Sequence, residues 1–121
     1  MPLKGKRLVV AEDIFLVAAH LSDVVEQAHG HVVGVVADAA SLMDLVGREQ
    51  VDCVLLDIEL RDGPAIETAI ALQDRKVPFI LLTGYFQTSL PLALQAAPYL
   101  AKPVSRFDLI DRILSVLQGT D

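Results

Sequence analysis

Five side chains with chemistry in them occupy the same kind of place: each follows directly on a short apolar run. Leu8-Val9-Val10-Ala11 runs into Glu12-Asp13, Cys53-Val54-Leu55-Leu56 into Asp57, Phe79-Ile80-Leu81-Leu82 into Thr83, and Tyr99-Leu100-Ala101 into Lys102. A continuous apolar run bounded by polar residues fits a strand buried on both faces, which can carry a charge at its end but not in its middle. Four such strands would bring all five residues to one edge of one sheet. Three carboxylates gathered there repel one another; at ~4 Å and an effective dielectric of ~20, each close pair costs ~4 kcal/mol. A hard divalent cation with oxygen ligands offsets that cost, and Mg²⁺ is the common choice where phosphate is also handled. Glu12, Asp13 and Asp57 are its candidate ligands, Asp13 more directly than Glu12. The backbone carbonyl of Glu59, in the loop just past Asp57, is a further one. Lys102 adds a fixed positive charge, and the Thr83 hydroxyl can donate to a phosphoryl oxygen. A carboxylate beside such a cation and a lysine can act as a nucleophile on phosphorus. Asp57, alone at the end of the central run, is the best placed.

Positioning these residues is the work of alternating strands and helices. Strands are expected over 7–11, 32–36, 52–57, 77–83 and 99–101. Between the first two, Ile14, Val17, Ala18, Leu21, Val24, Val25 and Ala28 form a stripe at helical spacing. Asp13 stands where that helix needs an N-cap, and Gly30 where its end needs a left-handed residue. Ser41 to Asp44 resembles a capping box opening a second helix to about Arg48, weakened by Gly47. Pro64 suits the first position of a third helix. Pro91 and Pro98 leave room only for a short fourth helix, over 92–96. Ser105 and Asp108 open the last one. Repeated strand-helix crossovers demand a parallel sheet with helices on both faces. The expected fold is therefore α/β, a flavodoxin-like, doubly wound five-stranded parallel sheet of order 2-1-3-4-5. In that order ligands bind beyond the carboxyl ends of strands one and three, where the strand order reverses. Those ends carry Glu12, Asp13 and Asp57, a position reached independently above.

At 121 residues the chain has the length of one domain, and at 53% hydrophobic it can fill one core. Its net charge of −6 and scattered Lys and Arg argue against nucleic acid, which needs a basic face. No apolar run approaches the ~20 residues that span a bilayer, and no signal peptide opens the chain. No membrane and a cytoplasmic location are expected. Cys53 is the sole cysteine and reads as a small core residue. His20, His29 and His31 lack ligand spacing with Cys or acids.

From end to end the chain resembles a two-component response-regulator receiver domain, a bacterial signalling module. The matching pieces are Glu12-Asp13, Asp57 with Ile58-Glu59-Leu60-Arg61-Asp62-Gly63, Thr83-Gly84, and Lys102-Pro103. Each is weak alone; all four, in order and at the right strand ends, are specific. The resemblance implies Asp57 as phosphoacceptor, Thr83 as switch hydroxyl, Lys102 as phosphoryl partner and Tyr99 as switch aromatic. It implies a single stand-alone domain over 1–121 that takes a phosphoryl group from a sensor histidine kinase or phosphotransfer protein with Mg²⁺. The signal would then pass to an output protein through the fourth helix, strand five and the last helix, or the domain would serve as a phosphate sink or relay. Glu59 and Tyr85 flank the site as candidates for setting the phosphate's lifetime. The stretch from Pro78 to Tyr85 is similar to an alphaproteobacterial subgroup with a Phe-x-Ala-Thr-Gly-Tyr-type motif, from which the pair Leu81-Leu82 departs. That subgroup pairs with an atypical class of kinase. Arg61 stands where many receivers have proline, which would loosen the loop after Asp57.

Other readings stand beside this one. Asp13 alone could be a helix cap, and Tyr99 a plain core aromatic. Haloacid-dehalogenase-type phosphatases also use a strand-end Asp nucleophile, a Thr or Ser, a Lys and Mg²⁺. They place a second Asp two residues on as general acid, where this chain has Glu59. A non-phosphorylated pseudo-receiver needs none of the side chains present here. A flavin domain of the same fold lacks support, since acids after strand one would repel the flavin phosphate. In the last helix, Phe107, Ile110, Leu114 and Leu117 form one stripe and Leu109, Ile113 and Val116 a second. The pair is either a broad core face or a partner surface, such as a homodimer contact.

Overall fold

The computed structural model describes residues 1–84 and 90–119. Its main sheet has five parallel strands, β1 (Arg7–Ala11), β2 (His31–Val36), β3 (Cys53–Asp57), β4 (Phe79–Thr83) and β5 (Tyr99–Ala101). Their order is β2-β1-β3-β4-β5, the expected 2-1-3-4-5. Helices α1 (Phe15–Gln27), α2 (Ala39–Arg48) and α3 (Ile66–Asp74) make the first three crossovers, a 3₁₀ turn at Leu92–Leu94 lies between β4 and β5, and α4 (Arg106–Leu117) follows β5.

The continuous apolar runs are explained by two core layers, one on each face of the sheet. Alternate residues of a strand point to opposite faces. Leu8, Val10, Cys53, Leu55, Ile80 and Leu82 meet α1 and α4 in one layer. Val9, Ala11, Val54, Leu56, Phe79 and Leu81 meet α2 and α3 in the other. All five residues of β3 and of β4 are buried, so no position in either can be polar except at the end. Burial also pushes the Cys53 thiol up to about 12, which keeps it protonated and inert.

Several local signals resolve differently from the sequence expectation. The N-cap of α1 is Ile14, with no side-chain cap, and Glu12 Oε2 accepts from the Ile14 N–H at 3.1 Å instead of Asp13 doing so. The cap of α2 is Asp38, whose carboxylate accepts from the Ser41 N–H at 2.7 Å; Ser41 lies inside the helix. Pro64 pairs in a two-residue antiparallel ladder with Glu59, and α3 begins at Ile66. Ser105 does cap α4, accepting from the Asp108 N–H at 3.1 Å. Both apolar stripes of α4 serve the core. Leu109 and Ile113 are fully buried and Ile110, Leu114, Val116 and Leu117 pack partly against them, leaving Phe107 at 84% exposure.

Gly30 is needed for a reason other than the one its position suggests. His29, not Gly30, takes the positive φ of 71° after α1. At Gly30 a Cβ would lie 2.8 Å from Val25 Cγ1 and 3.2 Å from both Leu3 Cβ and the Val25 carbonyl oxygen. The chain passes too close to α1 for any side chain. Gly30→Ala is expected to destabilise the fold by about 1–3 kcal/mol through overpacking, measured by urea unfolding.

Candidate functional site at the carboxyl edge of the sheet

Parallel pairing fixes the site. β1 and β3 are in register from Leu8 with Cys53 to Ala11 with Leu56, so the residues that follow, Glu12 and Asp57, emerge side by side. Asp57 pairs with Leu82 on the other side, and Thr83 pairs with Ala101, one residue before Lys102. Among the described residues, Glu12, Asp57 and Thr83 are the buried polar ones, exposed by 2%, 2% and 0%.

The carboxylates converge as the strand ends require. One oxygen each from Glu12, Asp13 and Asp57 lies within 4.8 Å of the others, Asp13 on the exposed side. Lys102 closes the group: its Nζ is 3.1 Å from Glu12 Oε1 and 3.1 Å from Asp57 Oδ2. The second Asp57 oxygen, Oδ1, accepts the Glu59 N–H at 3.1 Å. One lysine cannot neutralise three clustered acids. Burial, then a hydrogen bond shared with Asp57, raises Glu12 from 4.5 to about 7. Burial alone would lower Lys102, but hydrogen bonds to Asp57 and Glu12 outweigh it and hold the ammonium above its usual value. Three hard oxygen donors with excess negative charge suit a divalent cation of the Mg²⁺ kind, so the residues present fit such an ion.

The loop after Asp57 is tied down, not loosened. The Arg61 N–H donates to the Ala37 carbonyl at 3.0 Å, a bond that a proline at this position could not make. The Asp62 carboxylate accepts from the Ala39 N–H at 3.0 and 3.1 Å, which fastens the loop to the start of α2. Neither contact has a local sequence signal, because the partners come from distant parts of the chain. Glu59 has an exposed side chain and meets Asp57 through its backbone N–H. Tyr99 is half-buried on β5, opposite Leu81. Tyr85 lies outside the described residues.

A family model for the response regulator receiver domain matches residues 8–114. The chain belongs to that family. The Transcriptional regulatory protein PdtaR of Mycobacterium tuberculosis is 27% identical over 112 residues, 89% of this chain and 55% of PdtaR. The chain thus spans about half the length of that curated relative. The receiver domain of the TMAO respiratory system response regulator TorR is 30% identical with a TM-score of 0.80, over 96% of this chain and 99% of that one. SdrG from Sphingomonas melonis Fr1 is 28% identical with a TM-score of 0.76, over 98% of each chain. As a receiver domain the chain serves two-component signalling. Among its described residues no helix is long and apolar enough to cross a membrane.

Proposed function

We propose that this receiver domain, acting as one unit over residues 1–121 in the cytoplasm, accepts a phosphoryl group on Asp57 from a sensor histidine kinase or phosphotransfer protein. The observation that carries this reading is the pairing of Asp57 Oδ2 with Lys102 Nζ at 3.1 Å beside a three-carboxylate cluster. The Glu59 N–H and Lys102 hold the Asp57 carboxylate in one orientation, which spares the cost of ordering it at the moment of attack. In the transfer, a phosphohistidine N–P bond breaks as an Asp57 O–P bond forms, and the departing imidazole keeps the electron pair. Glu12, Asp13, Asp57 and the Glu59 carbonyl would hold Mg²⁺, which supplies positive charge against the phosphoryl oxygens. Lys102 supplies the protein's own share of that charge.

At the entrance, Ile14, Phe15 and Leu16 are 54%, 80% and 77% exposed directly after the acidic pair. Such an apolar crest supports docking of a protein donor there. The covalent phosphate adds about 1.5–2 negative charges. Thr83 and Lys102 are then drawn toward it, and Tyr99 reorients with the end of β4, altering the surface read by an output protein. Glu59 and Tyr85 tune how long the phosphate survives. The phosphatase alternative needs an Asp as general acid two residues after Asp57, where this chain has Glu59.

Incubation with acetyl phosphate and Mg²⁺, followed by intact mass, tests the reading: one phosphoryl group per chain supports it, and multiple-turnover hydrolysis of a phosphate ester contradicts it. For Thr83→Ala, phosphate uptake should persist while the amide shift changes induced by a phosphoryl mimic shrink to less than about half. Undiminished shifts would remove Thr83 from the switch.

A further inference from the structure

Beside the acidic cluster lies a groove of about 560 Å³ between α1 and the segment after β5. Leu16, Val17 and Leu21 of α1, Leu82 of β4, and Lys102 and Val104 are among the residues that line it. Its floor is core: Leu21 is 2% and Leu82 0% exposed. The volume falls within the roughly 300–1,000 Å³ typical of small-molecule sites. Lys102 belongs both to this groove and to the cluster, since the same side chain reaches Asp57 Oδ2 and Glu12 Oε1 at 3.1 Å. An ammonium has three donors, and these carboxylates engage two. A molecule with an anionic phosphoryl head and a short apolar tail matches both halves at once: the head meets Lys102, and the tail covers apolar wall that water otherwise wets.

We propose that this groove seats the apolar leaving group of a small-molecule phosphodonor, an alkanoyl or aroyl phosphate, while Asp57 attacks its phosphorus. This rests on the phosphoacceptor reading of Asp57. The bond between phosphorus and the acyl oxygen breaks, and its electron pair leaves with the carboxylate product. The Asp57 O–P bond forms in its place, and no proton, oxidant or reductant is needed. Longer alkanoyl phosphates have nearly the same leaving-group basicity as acetyl phosphate, so a preference among them reports the groove and not intrinsic reactivity.

The test is phosphorylation of the full chain in Mg²⁺ by acetyl phosphate and by hexanoyl phosphate, followed by intact mass over a range of donor concentrations. Partial burial of four methylenes should give half-saturation at a concentration about tenfold lower for hexanoyl phosphate. Leu16→Gln, which removes an apolar wall at an exposed position, and Val104→Phe, which fills the space, should each cut that ratio below about threefold. Equal half-saturation for the two donors overturns the groove assignment and leaves the Asp57 reading intact. A preference unchanged in both variants overturns it as well. Failure of every donor to phosphorylate the chain, or labelling that persists in Asp57→Ala, overturns both.

Discussion

Asp57→Asn is expected to abolish stoichiometric phosphate uptake from acetyl phosphate and Mg²⁺, slowing it about a thousandfold or more. The amide keeps the size of the carboxylate and its contact with the Glu59 N–H, but it offers no anionic oxygen to phosphorus. Neighbouring acids are poor substitutes. Glu12 is buried and held by Lys102, so its carboxylate is less open to a donor. Asp13 is on the exposed side of the cluster, and among the described residues no lysine or arginine pairs with it as Lys102 does with Asp57. Peptide mass spectrometry after borohydride trapping locates any residual label. Stability should separate this loss from misfolding. Removing one of three clustered carboxylates relieves repulsion, and Lys102 retains Glu12, so metal-free Asp57→Asn should melt at or above the temperature of the unaltered chain. A variant that folds yet still takes up phosphate at the original rate would show that the acceptor lies elsewhere.

The site was legible because a parallel sheet writes itself plainly. Strands covered on both faces show as unbroken apolar runs, and the first polar residue after each run marks the sheet's edge. That logic located Glu12, Asp57, Thr83 and Lys102, and the register of β1, β3, β4 and β5 brings their strand ends together. Helix starts were less legible because a cap depends on where the chain enters the helix. Asp38 and Ser41 both suit the role, and the preceding turn from β2 selects Asp38. Asp13 suits a cap by its type as well as a cation site, but Glu12 takes the Ile14 N–H while Asp13 joins the acidic group. The ties from Arg61 to Ala37 and from Asp62 to Ala39 link residues more than twenty positions apart, and nothing in either segment alone announces them. Gly30 was legible as a constraint but not as to its kind, since close approach to Val25 and Leu3 is a tertiary fact.

Mg²⁺ affinity should depend steeply on pH, and the sign follows from Glu12. In the metal-free protein its carboxyl is raised from 4.5 to about 7 by burial and by the neighbouring Asp57. A proton held there must leave before a cation can occupy the cluster, so binding should weaken up to about tenfold for each pH unit below about 7 and level off above it. The same proton makes the folded metal-free chain bind more protons than the unfolded one between 4.5 and about 7. Glu12 therefore contributes stability that is fully present below 4.5 and is lost as pH rises through about 7. Mg²⁺ restores stability on the alkaline side, where the cluster is most negative, by binding the folded state alone. Calorimetric titration in two buffers of different ionisation enthalpy reads both effects, with close to one proton released per Mg²⁺ at about pH 6 and far less at about pH 8. Glu12→Gln removes the titrating group, so its affinity should be lower at alkaline pH and nearly flat across the range. A pH-independent affinity in the unaltered chain, with no proton release, would mean that Glu12 already carries its charge in the empty cluster and that Lys102 alone balances it.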